Sequence, residues 1–175
     1  MTAPSFTVSR LTILAHPDPG LRRRAMAVDV FDASLCRFID DLCDTLRASG
    51  GIGLAAPQVG VAHRVLVMDL SGGVQPPEVY VNPEILQAAV PGLVEESCLS
   101  VPGVVGNVVR ATRLRVRARD RHGEVFETEL EDMRAVCLQH ELDHLDGRLF
   151  VDRLSWWRRL QWQARAALQG RLRAA

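Results

Sequence analysis

The sequence predicts an α+β fold in which short, mostly antiparallel strands surround a central HExxH helix, with an N-terminal and a C-terminal helix outside them. Three observations carry this reading. Apolar residues recur at helical steps between Phe31 and Leu46, apolar and charged residues alternate at strand steps from Arg113, and a helical stretch from about Met133 to Asp146 carries two histidines four residues apart.

The length of 175 residues suits a single domain spanning 1–175. With 47% hydrophobic and 24% charged residues, the chain is globular in composition, which excludes disordered, collagen-like and coiled-coil classes. Twenty-one basic residues, all arginine, balance twenty-one acidic ones, so no net field draws the molecule to DNA or to a membrane surface. No apolar run approaches the ~20 residues that cross a bilayer. Met1 to Ser5 lacks the basic-then-apolar order of a secretory leader, so the expected location is cytoplasmic. Four cysteines in that setting are expected to be free thiols.

The first helix places Phe31, Leu35, Phe38, Ile39, Leu42, Cys43 and Leu46 on one side and Asp40, Asp41, Asp44 and Arg47 on the other. It ends at Ser49-Gly50-Gly51, where glycine suits a left-handed cap. Val65 to Met68 and Val79 to Val81 read as strands, separated by Ser71-Gly72-Gly73 and Pro76-Pro77. A further apolar stretch runs from Ile85 to Val90, and Glu95 to Gly103 reads as a polar segment without periodicity.

Leu114, Val116 and Ala118 alternate with Arg113, Arg115, Arg117 and Arg119, which makes a strand with one buried face. Asp120 to Gly123 turns the chain, and Val125 to Leu130 returns with Glu127 and Glu129. The arginine row is therefore read as paired across a hairpin rather than as a nucleic-acid surface. The next helix has Glu131 and Asp132 at its positive end and Gly147 past its last turn. A last amphipathic, basic helix runs from about Leu154, with Trp157, Leu160, Ala164, Leu168 and Leu172 on one stripe. Its arginines serve either as a solvated face or as a docking surface.

Chemistry concentrates in Gln139-His140-Glu141-Leu142-Asp143-His144. Histidines four apart on a helix share one face and can hold one metal ion, and the intervening Glu141 then stands where a carboxylate can take a proton from water. Phe150 occupies the position of the third histidine of metzincins, which removes that class. Cys137 is about 10 Å along the helix from His144, too far to share an ion, and reads as pocket wall. Cys98 remains, and as a thiolate it would complete a Cys-His-His set with one position open. The competing reading makes Cys98 a nucleophile with His140 as its base, which leaves Glu141 and His144 without a role.

Gly51-Ile52-Gly53-Leu54-Ala55-Ala56-Pro57-Gln58 superficially matches a dinucleotide-binding loop. It follows a helix rather than a strand, and Pro57 leaves no helix to aim its amides. Its glycines instead suit an extended backbone lying close to a ligand, and Gln58 can donate to an oxyanion.

Together with Glu96-Ser97-Cys98-Leu99-Ser100 and the histidine segment, this stretch resembles the three motifs of the peptide deformylases, in order and in spacing. The likeness extends from His16-Pro17-Asp18-Pro19 to Leu149-Phe150-Val151-Asp152-Arg153-Leu154. The resemblance implies removal of the formyl group from the amino-terminal methionine of nascent chains, with formate released. It implies one divalent metal ion, Fe(II) in the cell, with Zn(II) or Ni(II) in purified protein. Carried over, Cys98, His140 and His144 match the metal ligands, Glu141 the general base and acid, and Gln58 with the Leu99 amide the oxyanion hole. Ile52, Val136, Cys137 and Leu138 match the methionine pocket, and Ile52 and Gly53 offer backbone bonds to the peptide. Several bacterial relatives dock on the ribosome through a C-terminal helix like the one here. Ser97 and Asp132 stand where glycine is usual and Val105 where arginine is common, whereas Arg110 is retained.

Overall fold

The computed structural model describes residues 10–162 and 164. Helix α1 (Ala33–Ser49) starts where the Asp32 side chain accepts from the Ser34 and Leu35 N–H groups, both at 2.9 Å. It stops at Gly50, whose φ of 70° is the left-handed cap expected there. The cap at Asp32 leaves Phe31 outside the helix, two residues short of the start its periodicity predicts.

Strands β1 (Gly53–Ala55), β2 (Val65–Met68), β3 (Glu78–Cys98), β4 (Val101–Arg119) and β5 (Val125–Glu131) form one antiparallel sheet in chain order. Two sequence expectations change here. Val79–Val81 and Ile85–Val90 belong to one long strand, and the polar segment at Glu95 is that strand's end, not a loop. Bulges after Val81, Ile85 and Ser97 interrupt its register and bend it. The hairpin over β4 and β5 is as expected, but its ion pairs join Arg115 and Arg117 to Glu127 and Arg113 to Glu131, with Glu129 in none of them.

All four residues of β2 are fully buried, because two helices cover the sheet from opposite sides there. Val65 and Val67 pack with Ile39, Leu42 and Leu46 of α1. Leu66 and Met68 pack with Ala135, Leu138 and Leu145 of the second helix, α2 (Asp132–Leu145). Truncating a core side chain such as Leu138 to alanine costs about 2–5 kcal/mol in sites of this kind.

Asp132 opens α2 at a φ of 49°, in the left-handed region. Ser97 is in β3 and has no positive φ, so its Cβ meets no conformational conflict in the backbone. Residues 156–162 are helical, but Trp157 and Leu160 are exposed. Trp162 packs against the body instead, its ring 4.7 Å from that of His16. Five residues place Trp162 about 140° round the helix from Trp157, so the stripe expected to cover the core faces outward in this part. Leu168 and Leu172 lie outside the described residues.

Candidate active site

Helix α2 brings His140 and His144 onto one face, with ring centroids 5.1 Å apart. The end of β3 delivers Cys98, whose Sγ lies 3.2 Å from His144 Nε2. One donor atom from each of Cys98, His140 and His144 falls within 4.8 Å of the other two. His140 Nδ1 lies 2.7 Å from Glu96 Oε2, which orients the ring so that its other nitrogen is free for the centre.

Electrostatics around these donors are strongly set. Burial would raise the Glu96 carboxyl, yet hydrogen bonds from His140 and Arg110 hold it at about 2. Arg110 is itself buried, and it reaches Glu96 through Nε and Nη2 and Asp143 through Nη1 at 2.6 Å. Arg153 completes the network on Asp143. Burial, reinforced by the cationic neighbours His140 and Arg110, pushes His144 well below its ordinary value, so its imidazole is neutral and able to ligate. Burial lowers His140, but Cys98 and Glu96 outweigh it and raise the ring to about 10. The sulfur and two imidazole donors fit a divalent transition metal.

Glu141 sits beside this set and is 3% exposed, with Oε2 lacking any hydrogen-bond partner among the described residues. Burial pushes its carboxyl up to about 7, against the lowering effect of His140. Gly53 in β1 permits this placement, since a Cβ there would lie 2.7 Å from Cys137 Sγ and would collide with the Glu141 carboxylate. The close approach that the glycine allows is thus to Glu141. Gln58 is buried in a 3-10 turn, Ala56–Val59, with its amide fixed at both ends. Oε1 accepts from the Ala55 N–H at 2.8 Å, and Nε2 points to Ser100 Oγ at 3.2 Å and Cys98 Sγ at 3.8 Å.

Above the donors opens a cleft of about 560 Å³, mostly apolar in its walls. Ile52, Gly53, Gln58, Leu99, Val136 and Cys137 all line it, as do Cys98, His140 and Glu141. Leu138 does not: it is fully buried among Tyr80, Leu114 and Leu130, because α2 is enclosed on several sides and this position turns away from the cleft. Sequence reading missed the Glu96–Arg110–Asp143 network. Its signal was Glu96 standing two residues before Cys98, since strand residues two apart share a face.

A buried acid beside a Cys-His-His donor set, at the floor of an apolar cleft, is the make-up of a metal-dependent hydrolase. The family model described as polypeptide deformylase matches residues 10–159. The peptide deformylase of Hahella chejuensis is 45% identical over 95% of this chain and all of that protein. That of Alkalilimnicola ehrlichii is 51% identical over 83% of this chain and 82% of its own. A crystal structure of a peptide deformylase from Legionella pneumophila aligns with a TM-score of 0.87 at 44% identity, covering 95% of this chain and 98% of that one. The chain belongs to the polypeptide deformylase family, enzymes that remove the formyl group from the amino-terminal methionine of nascent peptides. Neither another metal-dependent amidase or peptidase nor an inactive ribosome-binding relic is favoured. No helix among the described residues is long and apolar enough to cross a membrane.

Proposed function

We propose that Cys98, His140 and His144 hold a single divalent ion, Fe(II) in the cell and Zn(II) or Ni(II) after purification, and that Glu141 is the general base and acid of deformylation. The observation carrying this is the unpartnered, buried Oε2 of Glu141 beside three metal-type donors. When bound, the ion would supply Lewis acidity toward the formyl oxygen and lower the pKa of water toward about 7.

The chain's own groups supply the rest. Glu141, with its carboxyl at about 7, takes a proton on Oε2 from the water that attacks the formyl carbon. The Gln58 amide and the Leu99 N–H donate to the oxyanion of the tetrahedral species, and a donor of this kind is worth about 10²–10³ in rate. Glu141 then returns its proton to the methionine amine as the C–N bond breaks, leaving formate and a free amino terminus. Val136, Cys137 and the side chain of Ile52 form the methionine pocket, with backbone groups of Ile52 and Gly53 holding the peptide, a reading supported by their place in the cleft walls.

We place the enzyme in the cytoplasm, as one catalytic domain over residues 1–175, with the basic C-terminal helix docking it on the ribosome. The support for docking is the run of Arg158, Arg159, Arg165, Arg171 and Arg173, without an acidic residue from Ser155 to the end. Deleting residues 158–175 should weaken ribosome cosedimentation while peptide turnover continues, and unchanged cosedimentation would end the docking proposal. The activity is tested by formate release from formyl-Met-Ala-Ser, with no cleavage of the same peptide lacking its formyl group. Peptide-bond cleavage in place of formate release would contradict it.

A further inference from the structure

The hairpin of β3 and β4 has two faces of opposite character. Glu96, Cys98, Gly106, Val108 and Arg110 are buried on one. On the other, three cross-strand pairs follow one another outward from the active site: Ser97 with Val105, Glu95 with Asn107, and Leu93 with Val109. Ser97, Val105 and Glu95 line the catalytic cleft. Leu93 and Val109 lie beyond it and are exposed to 70% and 62%, an apolar pair with nothing covering it among the described residues. Glu96 and Cys98 wall the cleft from the buried face and Ser97, Val105 and Glu95 from the other, and it is this second face that continues past the mouth to Leu93 and Val109.

We propose that Leu93 and Val109 form a distal subsite that grips an apolar side chain of the same nascent peptide whose formyl end lies in the cleft. This rests on the deformylase reading above. The occupant follows from continuity. A formylated chain leaving a cleft walled by Ser97, Val105 and Glu95 travels along a rail whose same-face positions recur about every 7 Å, the repeat of alternate side chains in an extended peptide. Two such steps separate the Val105 pair from the Leu93 pair, so a residue about four positions farther along the peptide arrives over Leu93 and Val109. An apolar side chain there covers two apolar ones, whereas an acidic one approaches Glu95 of the intervening pair and is repelled. Contacts this remote from the reacting carbon act on binding, so the gain belongs in KM, with kcat unchanged.

The test compares formyl-Met-Ala-Ser with two eight-residue formylated peptides that share those first three residues. One continues with Thr, Leu, Val, Leu and Thr, the other with Thr, Asp, Ser, Asp and Thr. On the holoenzyme, the apolar octapeptide should exceed the tripeptide in kcat/KM by about three- to tenfold through KM, and the acidic one should not. Leu93→Thr/Val109→Thr, which keeps β-forming side chains, should abolish that gain while leaving tripeptide turnover unchanged. The single Leu93→Thr should show a partial loss and serves if the double variant folds poorly. Equilibrium binding of the fluorescently labelled peptides to holo Glu141→Gln protein reads the same ratio without turnover. Absence of tripeptide turnover would therefore strike the deformylase reading, while the binding ratio would still decide the subsite. Equal values for the two octapeptides, or a gain that survives in the double variant, would overturn the proposal. So would a wild-type dimer that the double variant converts to monomer, because the strip would then join two copies.

Discussion

Arg110 and Glu96 form a two-pronged ion pair beneath the cleft, Nε and Nη2 of the guanidinium reaching the two carboxylate oxygens at 2.7 and 3.0 Å. Both are buried, and the same carboxylate orients His140 while the same guanidinium holds Asp143. The pair thus ties β3 and β4 to the helix that carries the histidines. Arg110→Met removes one of two cationic partners from each carboxylate, Glu96 keeping His140 and Asp143 keeping Arg153, so it should lower the unfolding free energy by about 1–3 kcal/mol. Urea denaturation measures this, and a loss below about 1 kcal/mol would show the network to be dispensable.

The approach of Gly53 to Glu141 sets the carboxylate's position from across the cleft. Gly53→Ala should displace it and lower kcat by about 100-fold, as misplacing a catalytic group by ~1 Å does. Bound metal, measured by atomic emission on the same sample, should stay near the wild-type content. An alanine variant with full kcat would mean that the carboxylate is free to move.

Asp132 supplies a stability prediction specific to this chain. It opens α2 in the left-handed region that costs non-glycine residues about 1–2 kcal/mol, somewhat less for aspartate. Asp132→Gly should therefore raise the thermal midpoint, through a gain of about 0.5–1 kcal/mol. A fall in the midpoint would show that the Asp132 side chain contributes more than its backbone strain removes.

Much of this architecture was legible because its signals are hydrophobic. The periodicity of Leu35 to Leu46, the solid apolar run of β2 and the alternation of Leu114, Val116 and Ala118 each define an element through the water they avoid. The stretch around Cys98 was not legible as a strand for the same reason. Its inward positions are Glu96 and Cys98, so the two-residue rhythm is written in polar side chains that a hydrophobic pattern does not register. The middle of β3 hides differently, since residues 84–88 are exposed on both faces and lack alternation. Within α2, burial on several sides leaves Leu138 and Val136 alike in sequence although only Val136 reaches the cleft. Ligand type and helical spacing pointed to Cys98, His140 and His144, whose donor atoms the structure brings within 4.8 Å of one another, whereas the Glu96 and Arg110 support depends on strand pairing.

Cys43 contributes to an alkaline limit, alongside Cys137 and Tyr80, whose protons burial also holds. Burial pushes the Cys43 thiol from an ordinary 9.0 up to about 11, only partly offset by Arg121 and Arg47. The folded state then holds the proton more tightly than the unfolded chain. The stabilising contribution is fully present below about pH 9 and is lost as pH rises through 11. Denaturation midpoints between pH 8 and 11 should fall for the wild type, and Cys43→Ala should have a flatter alkaline limb, whatever its offset from the lost methylene packing. Parallel slopes would assign the alkaline loss to other groups.

The central claim is that three donors hold the ion while Glu141 moves the proton, and it is tested most directly by metal content and formate release measured together. After anaerobic purification, the wild type should carry about one ion per chain and turn over formyl-Met-Ala-Ser, as a single three-ligand site requires. Glu141→Ala should keep the ion and lose almost all turnover. A Glu141→Ala protein that retains full activity, or a wild type that is fully active without metal, would contradict the account.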